Sequence, residues 1–549
     1  MTKPIIYQLF PRLYTNTNAS LTRYGDISQN HSGKMNQLTD NILADIRSLG
    51  ATHIWLTGVI EHATATDYSK FGIAPDNPAV VKGKAGSPYA IKDYYDIDPD
   101  IAENVKNRVG EFKALVRRIH KAGMKVVIDF VPNHVARHYV SDAKPAGVED
   151  FGHNDRIDWF FARDNNFYYL NAPLSIDGVD IADYRESPAR ATGNDCFSPR
   201  PHKYDWYETV KLNYGIDYSD RSRHFDPVPD TWLKMLDILR YWTSMGVDAY
   251  RCDMAFMVPT EFWRWVIPQI KAMNRELLFI AEIYDVDKYR EFIDAGFDYL
   301  YDKVNLYDML VGIERHGWRA DAITTCWQRI DGLSDHMLNF LENHDEVRFA
   351  SSFYAHSAEN VIPSLIVSAM IGRGAFMLYQ GQELGEKGED DEGFSGPNGR
   401  TTIFDYWSIS SVRNYLTEKT SKKMLALRSV YTKLLNFCNS EKAISDGGFY
   451  DLTYANHSNP DFSTARQFAF IRHSGDDIVL IAVNFDEHPV DVKINIPEHA
   501  FQHIGLVDGN YSATDILTGR KKRHQLASNV PFSAHIKAKG GVVLRLIRE

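Results

Sequence analysis

The chain alternates between two hydrophobic patterns over roughly its first 440 residues. Ile5 to Phe10 and His53 to Val59 are short apolar runs and predict buried strands. Val109, Phe112, Leu115, Val116 and Ile119 instead recur at helical spacing; Gly123 ends that stripe, and Lys125 to Val131 follows as a strand. The unit recurs where Trp232, Met235, Leu236, Leu239 and Trp242 form a helical face, Gly246 breaks it, and Val247 to Cys252 continues as a strand. Leu278 to Ala281, Phe297 to Tyr301, Met337 to Leu341 and Ala375 to Tyr379 are further strand candidates. This alternation predicts an α/β fold with a parallel sheet, and eight such units close into a (β/α)8 TIM barrel.

Two stretches depart from the pattern. Between His134 and about Phe225 the alternation stops, and Asp, Asn, Pro and aromatic residues accumulate. A structureless loop of that length is improbable, so residues 135–225 are read as a domain inserted after the third strand. Its aromatics, Trp159, Phe160, Tyr168, Tyr169, Trp206 and Tyr207, are read as a local core from which one or two rings are free to face a ligand. After about Gly447 the period changes to two: Gln467 to Arg472, Ile478 to Asn484, Val490 to Ile496 and Gly541 to Leu546 alternate or run apolar, with Ser474-Gly-Asp-Asp477 as a hairpin turn. The expected division is a barrel over 1–134 and 226–446, the insert over 135–225, and an all-β sandwich over 447–549.

Composition narrows the partners. At 549 residues the chain exceeds one ordinary core, and 44% hydrophobic with 24% charged residues is the balance of a soluble globular protein. A formal charge of -11 argues against a nucleic-acid partner, whereas a neutral polymer needs no opposite charge. No run approaches the ~20 apolar residues of a membrane span, and the first residues lack the apolar core of a secretory signal. Cys196, Cys252, Cys326 and Cys438 are spaced for neither a disulfide framework nor zinc. The expectation is a cytoplasmic protein, or a secreted one if a signal has been removed.

Four strand-end segments carry the chemistry: Asp129-Phe-Val-Pro-Asn-His134, Gly246-Val-Asp-Ala-Tyr-Arg-Cys-Asp253, Phe279-Ile-Ala-Glu282 and Phe340-Leu-Glu-Asn-His-Asp345. The C-terminal ends of barrel strands converge on one mouth, so these segments share a site. Arg251 and Asp253 are two apart and project from the same face of a strand, where the guanidinium would keep the carboxylate ionised. Glu282 ends a wholly apolar strand, and poor solvation would raise its pKa toward that of a proton donor. Any one of these acids could be a helix cap or an ion-pair partner; four strand ends carrying His134, Arg251 with Asp253, Glu282, and His344 with Asp345 are hard to explain that way. Paired carboxylates of this kind cleave glycosidic bonds.

In these segments the chain resembles the α-amylase family of glycoside hydrolases (family 13), and the likeness extends over barrel, insert and C-terminal sandwich. The resemblance implies that Asp253 is the nucleophile, Glu282 the acid/base, and Asp345 a third acid that binds sugar hydroxyls. It places Tyr89, His134, Arg251 and His344 around the sugar at subsite −1, makes Asp93 structural, and leaves Arg348 either in the site or on the surface. No cofactor is required by the implied reaction. Some members bind calcium between barrel and insert through the asparagine that Asn133 matches, so Asn133 is the candidate metal ligand, or a residue that simply holds the loop. The expected substrate is an α-glucan or maltooligosaccharide, cleaved with retention. The rivals are a glucan transferase or trehalose-forming isomerase on the same fold, and a non-catalytic carbohydrate-binding homologue. Met254, and Phe256-Met257 in place of the lysine-histidine pair of many starch-degrading members, depart from the family pattern and leave the substrate subsites open. Thr209-Val-Lys-Leu-Asn213 matches the signature of the insert only loosely. The acidic run Glu386 to Glu392, in the loop from Gly381 to Trp407, is expected to be a solvated face over the barrel mouth.

Overall fold

The computed structural model describes residues 2–181 and 183–549. Eight parallel strands close into a barrel in chain order: β1 (Ile5–Leu9), β2 (His53–Leu56), β3 (Lys125–Phe130), β4 (Ala249–Cys252), β5 (Leu278–Ala281), β6 (Tyr299–Tyr301), β7 (Met337–Asn339) and β8 (Ala375–Tyr379). β1 lies between β2 and β8, with Ile6 opposite His53 and Ile5 opposite Phe376, which closes the ring. Nearly every strand residue is buried, because one face fills the barrel and the other meets the helices. Helix α1 (Arg108–Lys121) buries Phe112, Leu115, Val116 and Ile119, and α2 (Asp230–Ser244) buries Trp232, Met235, Leu236, Leu239 and Trp242. Gly123 (φ 75°) and Gly246 (φ 91°) make the left-handed turns that return each helix to its next strand.

The insert is stitched to the mouth by a short antiparallel pair, His134–Ala136 with Thr209–Lys211, in which His134 faces Lys211. Of its aromatics, Tyr168, Tyr169 and Tyr207 are buried and Trp159 is exposed. Leu170, Leu174, Ile176, Ala189 and Tyr207 form a small core of their own with Val80 of the loop after β2.

The C-terminal region is a six-stranded antiparallel sheet, in the order Gly448–Asp451, Gln467–Ser474, Asp477–Asn484, Gly540–Arg548, Gly509–Asp515 and Lys521–Leu526. A two-stranded sheet, Val490–Ile494 with Phe532–Ile536, packs its Val492, Ile494, Phe532 and Ile536 against Leu480 and Leu544 of the larger sheet. The turn at Gly475 pairs Ser474 with Asp477, as its residues predict. Lys521–Leu526 is an exposed edge strand whose Lys-Lys-Arg-His start hides any period of two, the usual protection of an open edge. No helix among the described residues is long and apolar enough to cross a membrane.

One buried arginine joins the barrel to this sheet. Arg472 donates to the carbonyls of Ala443, Met370, Ile371, Ile444 and Gly447 at 2.8 to 3.3 Å, with no acid among the described residues paired to it, and burial lowers its pKa to about 10. Arg472→Met leaves those acceptors without a donor and is expected to cost about 3 kcal/mol or more, read as a lower urea midpoint.

Candidate active site

Strand register assembles the site. Arg251 lies opposite Asp129 across β4 and β3, and Cys252 lies opposite Ala281 across β4 and β5, so Asp253 and Glu282 emerge side by side one layer above Arg251. Arg251 is fully buried. Its Nη1 donates to Asp253 Oδ1 at 2.7 Å and to Asp129 Oδ1 at 3.3 Å, its Nη2 lies 2.8 Å from Glu282 Oε1, and its Nε donates to the Tyr301 hydroxyl at 3.2 Å. The rings of Trp55, Tyr301 and Tyr89 surround the guanidinium at 5.2, 5.4 and 5.5 Å.

Above this floor opens a cleft of about 290 Å³ that is lined by Asp253, Glu282, Asp345, Tyr89 and His134, together with Lys82, Trp206, Met254, Tyr284, Ile403 and Phe404. Arg251 and His344 support it from below. His344 links the walls: its Nδ1 accepts from Gln8 Nε2 at 2.8 Å, and its Nε2 sits 2.6 Å from the Tyr89 hydroxyl and 3.0 Å from Asp345 Oδ2. The Tyr89 and His344 rings stack at 5.1 Å. His134 Nδ1 accepts from Asn133 Nδ2 at 3.0 Å, which leaves Nε2 to carry the ring proton. Burial, with Lys211 and Lys82 nearby, lowers the His134 pKa to about 3, so this ring is neutral near neutral pH.

The acids do not share Arg251 equally. Burial and then Glu282 push the Asp253 pKa well above the carboxylate range, and Arg251 opposes them. The sequence-based expectation that Arg251 keeps Asp253 ionised takes in only one of the groups at work: the guanidinium also serves Asp129 and Glu282, and burial and Glu282 oppose it. For Asp345, burial raises the pKa, but His344 and more distant arginines outweigh it and the net shift is downward.

The family model for the catalytic domain of α-amylase matches residues 8–433. The chain belongs to the α-amylase family. It is 23% identical to the α-amylase MalA of Haloarcula japonica over 493 residues, which covers 89% of this chain and 56% of that protein. It is also 23% identical to neopullulanase 2 of Thermoactinomyces vulgaris over 403 residues, 70% of this chain and 57% of that protein. The chain thus spans a little over half the length of these two relatives. Among solved structures, the maltogenic α-amylase AmyB of Thermotoga neapolitana has the same fold with a TM-score of 0.65 at 19% identity, covering 100% of this chain and 99% of that one. The α-amylase of Geobacillus thermoleovorans, solved with acarbose, gives a TM-score of 0.66 at 18% identity over 100% and 98% of the two chains.

Against this family background two candidate residues are corrected. Arg348 does not reach the cleft. It is 0% exposed, donates to Thr401 Oγ1 at 2.7 and 2.8 Å and to the Gln380 carbonyl at 2.9 Å, and stacks 4.0 Å from the Tyr379 ring. It pins the loop after β8, a role that its spacing from Asp345 does not reveal. Asn133 lies at the junction of barrel and insert, but its Oδ1 accepts from Lys211 Nζ, which also lies 2.7 Å from Asp195 Oδ1. Asn133 Nδ2 donates to the Gly193 carbonyl at 2.7 Å. An ammonium holds the oxygen that a metal would need, so these residues do not fit calcium.

The acidic run is also not a solvated face throughout. Glu386 is buried and accepts from Ser411 N and Oγ at 3.0 and 2.6 Å and from Lys387 and Gly388 N at 2.9 and 3.1 Å; Glu392 accepts from Thr402 N. These contacts fold the loop so that Ile403 and Phe404 reach the cleft. Asp93 is structural as expected, accepting from Ser141 Oγ and the amides of Tyr95, Asp142 and Ala143.

Two features escaped sequence reasoning. Met254 adopts φ 44°, a left-handed conformation costly for a side chain with a Cβ, and so aims its N–H at Glu282 Oε2 at 2.7 Å. Tyr284 donates its hydroxyl to Glu282 Oε1 at 2.5 Å. The signal for Tyr284 was its place two residues after Glu282, which puts both on one side of extended backbone. Tyr284→Phe removes the group that orients Glu282 and is expected to lower kcat roughly tenfold with little change in KM, by steady-state assay. Lys211→Met leaves Asn133 Oδ1 and Asp195 without their cation and is expected to cost about 1–3 kcal/mol in chemical unfolding, since Asp195 is partly solvated.

Proposed function

We propose that the protein is a retaining α-glycoside hydrolase that acts on α-glucans or maltooligosaccharides. The observation that carries the reading is the placement of Asp253 and Glu282 on two nitrogens of one buried guanidinium at the floor of a cleft, with Asp345 on its wall. Asp253 attacks the anomeric carbon while Glu282 protonates the departing glycosidic oxygen, and Glu282 then deprotonates the water that releases the sugar. The leaving oxygen only accepts a hydrogen bond, so the acid that meets it must carry the proton, and Glu282 takes that role. The Tyr284 hydroxyl can rotate to accept from the protonated acid, which keeps the carboxyl in place in both states. Tyr89 offers a flat face to the sugar ring and Trp206 a second one on the side of the insert. The names of the relatives, which include α-amylase, neopullulanase and cyclomaltodextrinase, support an α-glucan substrate.

A second reading, transfer to a sugar acceptor, is favoured by one observation. Met254, Ile403 and Phe404 line the cleft with apolar surface, and Phe256 packs edge-on to Tyr284 at 5.7 Å. An apolar rim disfavours water as the acceptor relative to a sugar.

Incubation with maltoheptaose, following reducing ends and chain lengths together, separates the two: hydrolysis raises the number of reducing ends, and transfer redistributes lengths at a constant number. Proton NMR of the first product is expected to show the α-anomer; a β-anomer at early times refutes retention. Asp253→Asn is expected to lower kcat by about 10⁴-fold. Its unfolding temperature should stay close to that of the parent, because Asp129 and Glu282 still pair with Arg251.

A further inference from the structure

The two ends of the cleft are built differently. Glu282 follows β5 and, on the reading above, meets the leaving oxygen, so the departing part of the glucan passes Glu282, Met254 and Tyr284. The part held on Asp253 is the non-reducing side of the cut bond, and it extends away from Glu282. In a ring of eight strands β1 stands across from β5, and the loops that follow its neighbours β2 and β8 carry Tyr89 and Phe404. These loops therefore receive the non-reducing side.

That side is closed by contacts among all three walls. The loop after β2 is joined to the loop after β8 by backbone: Ala85 N donates to the Phe404 carbonyl at 3.0 Å. Gly83, at φ 67°, comes so close to the same carbonyl that a Cβ there would overlap it. Beneath this seam Arg12, 0% exposed, donates to the carbonyls of Ala85 and Ile403 at 3.2 and 2.7 Å. The same loop is joined to the insert by Lys82, whose Nζ lies 3.0 Å from Glu208 Oε2 and 5.4 Å from the Tyr207 ring, and by Val80, which packs into the insert's own core. Both members of the Lys82–Glu208 pair are nearly buried, and both line the cleft. The enclosed space of about 290 Å³ lies at the lower edge of the roughly 300–1,000 Å³ of ligand pockets, room for a chain end rather than for a long run of sugars.

We propose that the cleft is blind on its non-reducing side, so that the protein takes α-glucan chains by their non-reducing ends and does not cut within them. The inference rests on the assignment of Asp253 and Glu282 as the reacting pair. Lys82 and Glu208, a cation and an anion at the closed end, supply a donor and an acceptor for the hydroxyls that only a terminal sugar leaves free. A chain that continues beyond that sugar must displace a nearly buried ion pair or part the seam at Phe404, and either is costly.

The test compares three sugars under the same conditions and follows the loss of each by chromatography, which registers hydrolysis and transfer alike. They are maltoheptaose, maltoheptaose with a 4,6-O-ethylidene group on its non-reducing terminal glucose, and β-cyclodextrin, which has no end. Maltoheptaose is expected to be consumed with a single short product length at the first time points, and the other two at least about 100-fold more slowly. Equal consumption of the free and blocked chains, or ready opening of the cyclodextrin, overturns the blind end and leaves the glycosidase reading standing. Three untouched sugars overturn the α-glucan reading and the inference with it. Lys82→Ala combined with Glu208→Ala removes the pair without stranding a buried charge, and is expected to raise the ratio of blocked to free consumption at least about fivefold. An unchanged ratio overturns the part given to that pair.

Discussion

Arg251 is a single guanidinium, wholly withdrawn from water, that must satisfy Asp129, Asp253 and Glu282 at once. Removing such an ion from water costs several kcal/mol, and only close acids and surrounding rings offset that cost. Those acids come from β3 and from the ends of β4 and β5, so the electrostatic balance of the barrel interior holds only if these strands keep their register. Trp55 on β2 donates its indole N–H to Asp129 at 2.9 Å, and Tyr301 on β6 gives its hydroxyl oxygen to Arg251, which extends the dependence to the flanking strands. The same contacts that stabilise the fold thereby determine where the carboxyls of Asp253 and Glu282 stand. Chemistry and packing share one set of bonds.

The mouth is built on a different principle. Its floor comes from strands that are buried on both faces, whereas its walls come from segments with no strand to hold them: the loop after β2 with Tyr89, the insert with Trp206, and the loop after β8 with Phe404. Each wall is fixed by buried polar side chains. Asp93 gathers the start of the insert, Lys211 its end, and Arg348 and Glu386 the last loop. A change in one wall can reshape the cleft without disturbing the floor.

This division also explains what could be read from the sequence. All eight barrel strands were legible because burial on both faces makes them continuous apolar runs, and their terminal acids stood out against that background. The wall residues were not legible in the same way. Nothing local distinguishes Arg348 in the cleft from Arg348 beneath a loop, since its partners Thr401 and Gln380 are 53 and 32 residues away. Asn133 matched a ligand position, but the decisive neighbour, Lys211, lies 78 residues further on. Glu386 looked solvated because local composition counts charges and cannot show that Ser411 folds back to meet one. The edge strand Lys521–Leu526 was hidden because it is polar on both sides. Local patterns identify elements that bury themselves; they are silent where burial depends on a distant partner.

Lys211 has a consequence of another kind. A dissociable ion at the junction of barrel and insert would exchange with solvent, and its occupancy would follow the composition of the surroundings. An ammonium on the chain's own side chain has an effective concentration set by the covalent tether, and dilution or a chelator cannot lower it. The junction beneath His134 is therefore intact as soon as the chain has folded, and its strength is inherited with the sequence rather than borrowed from the medium.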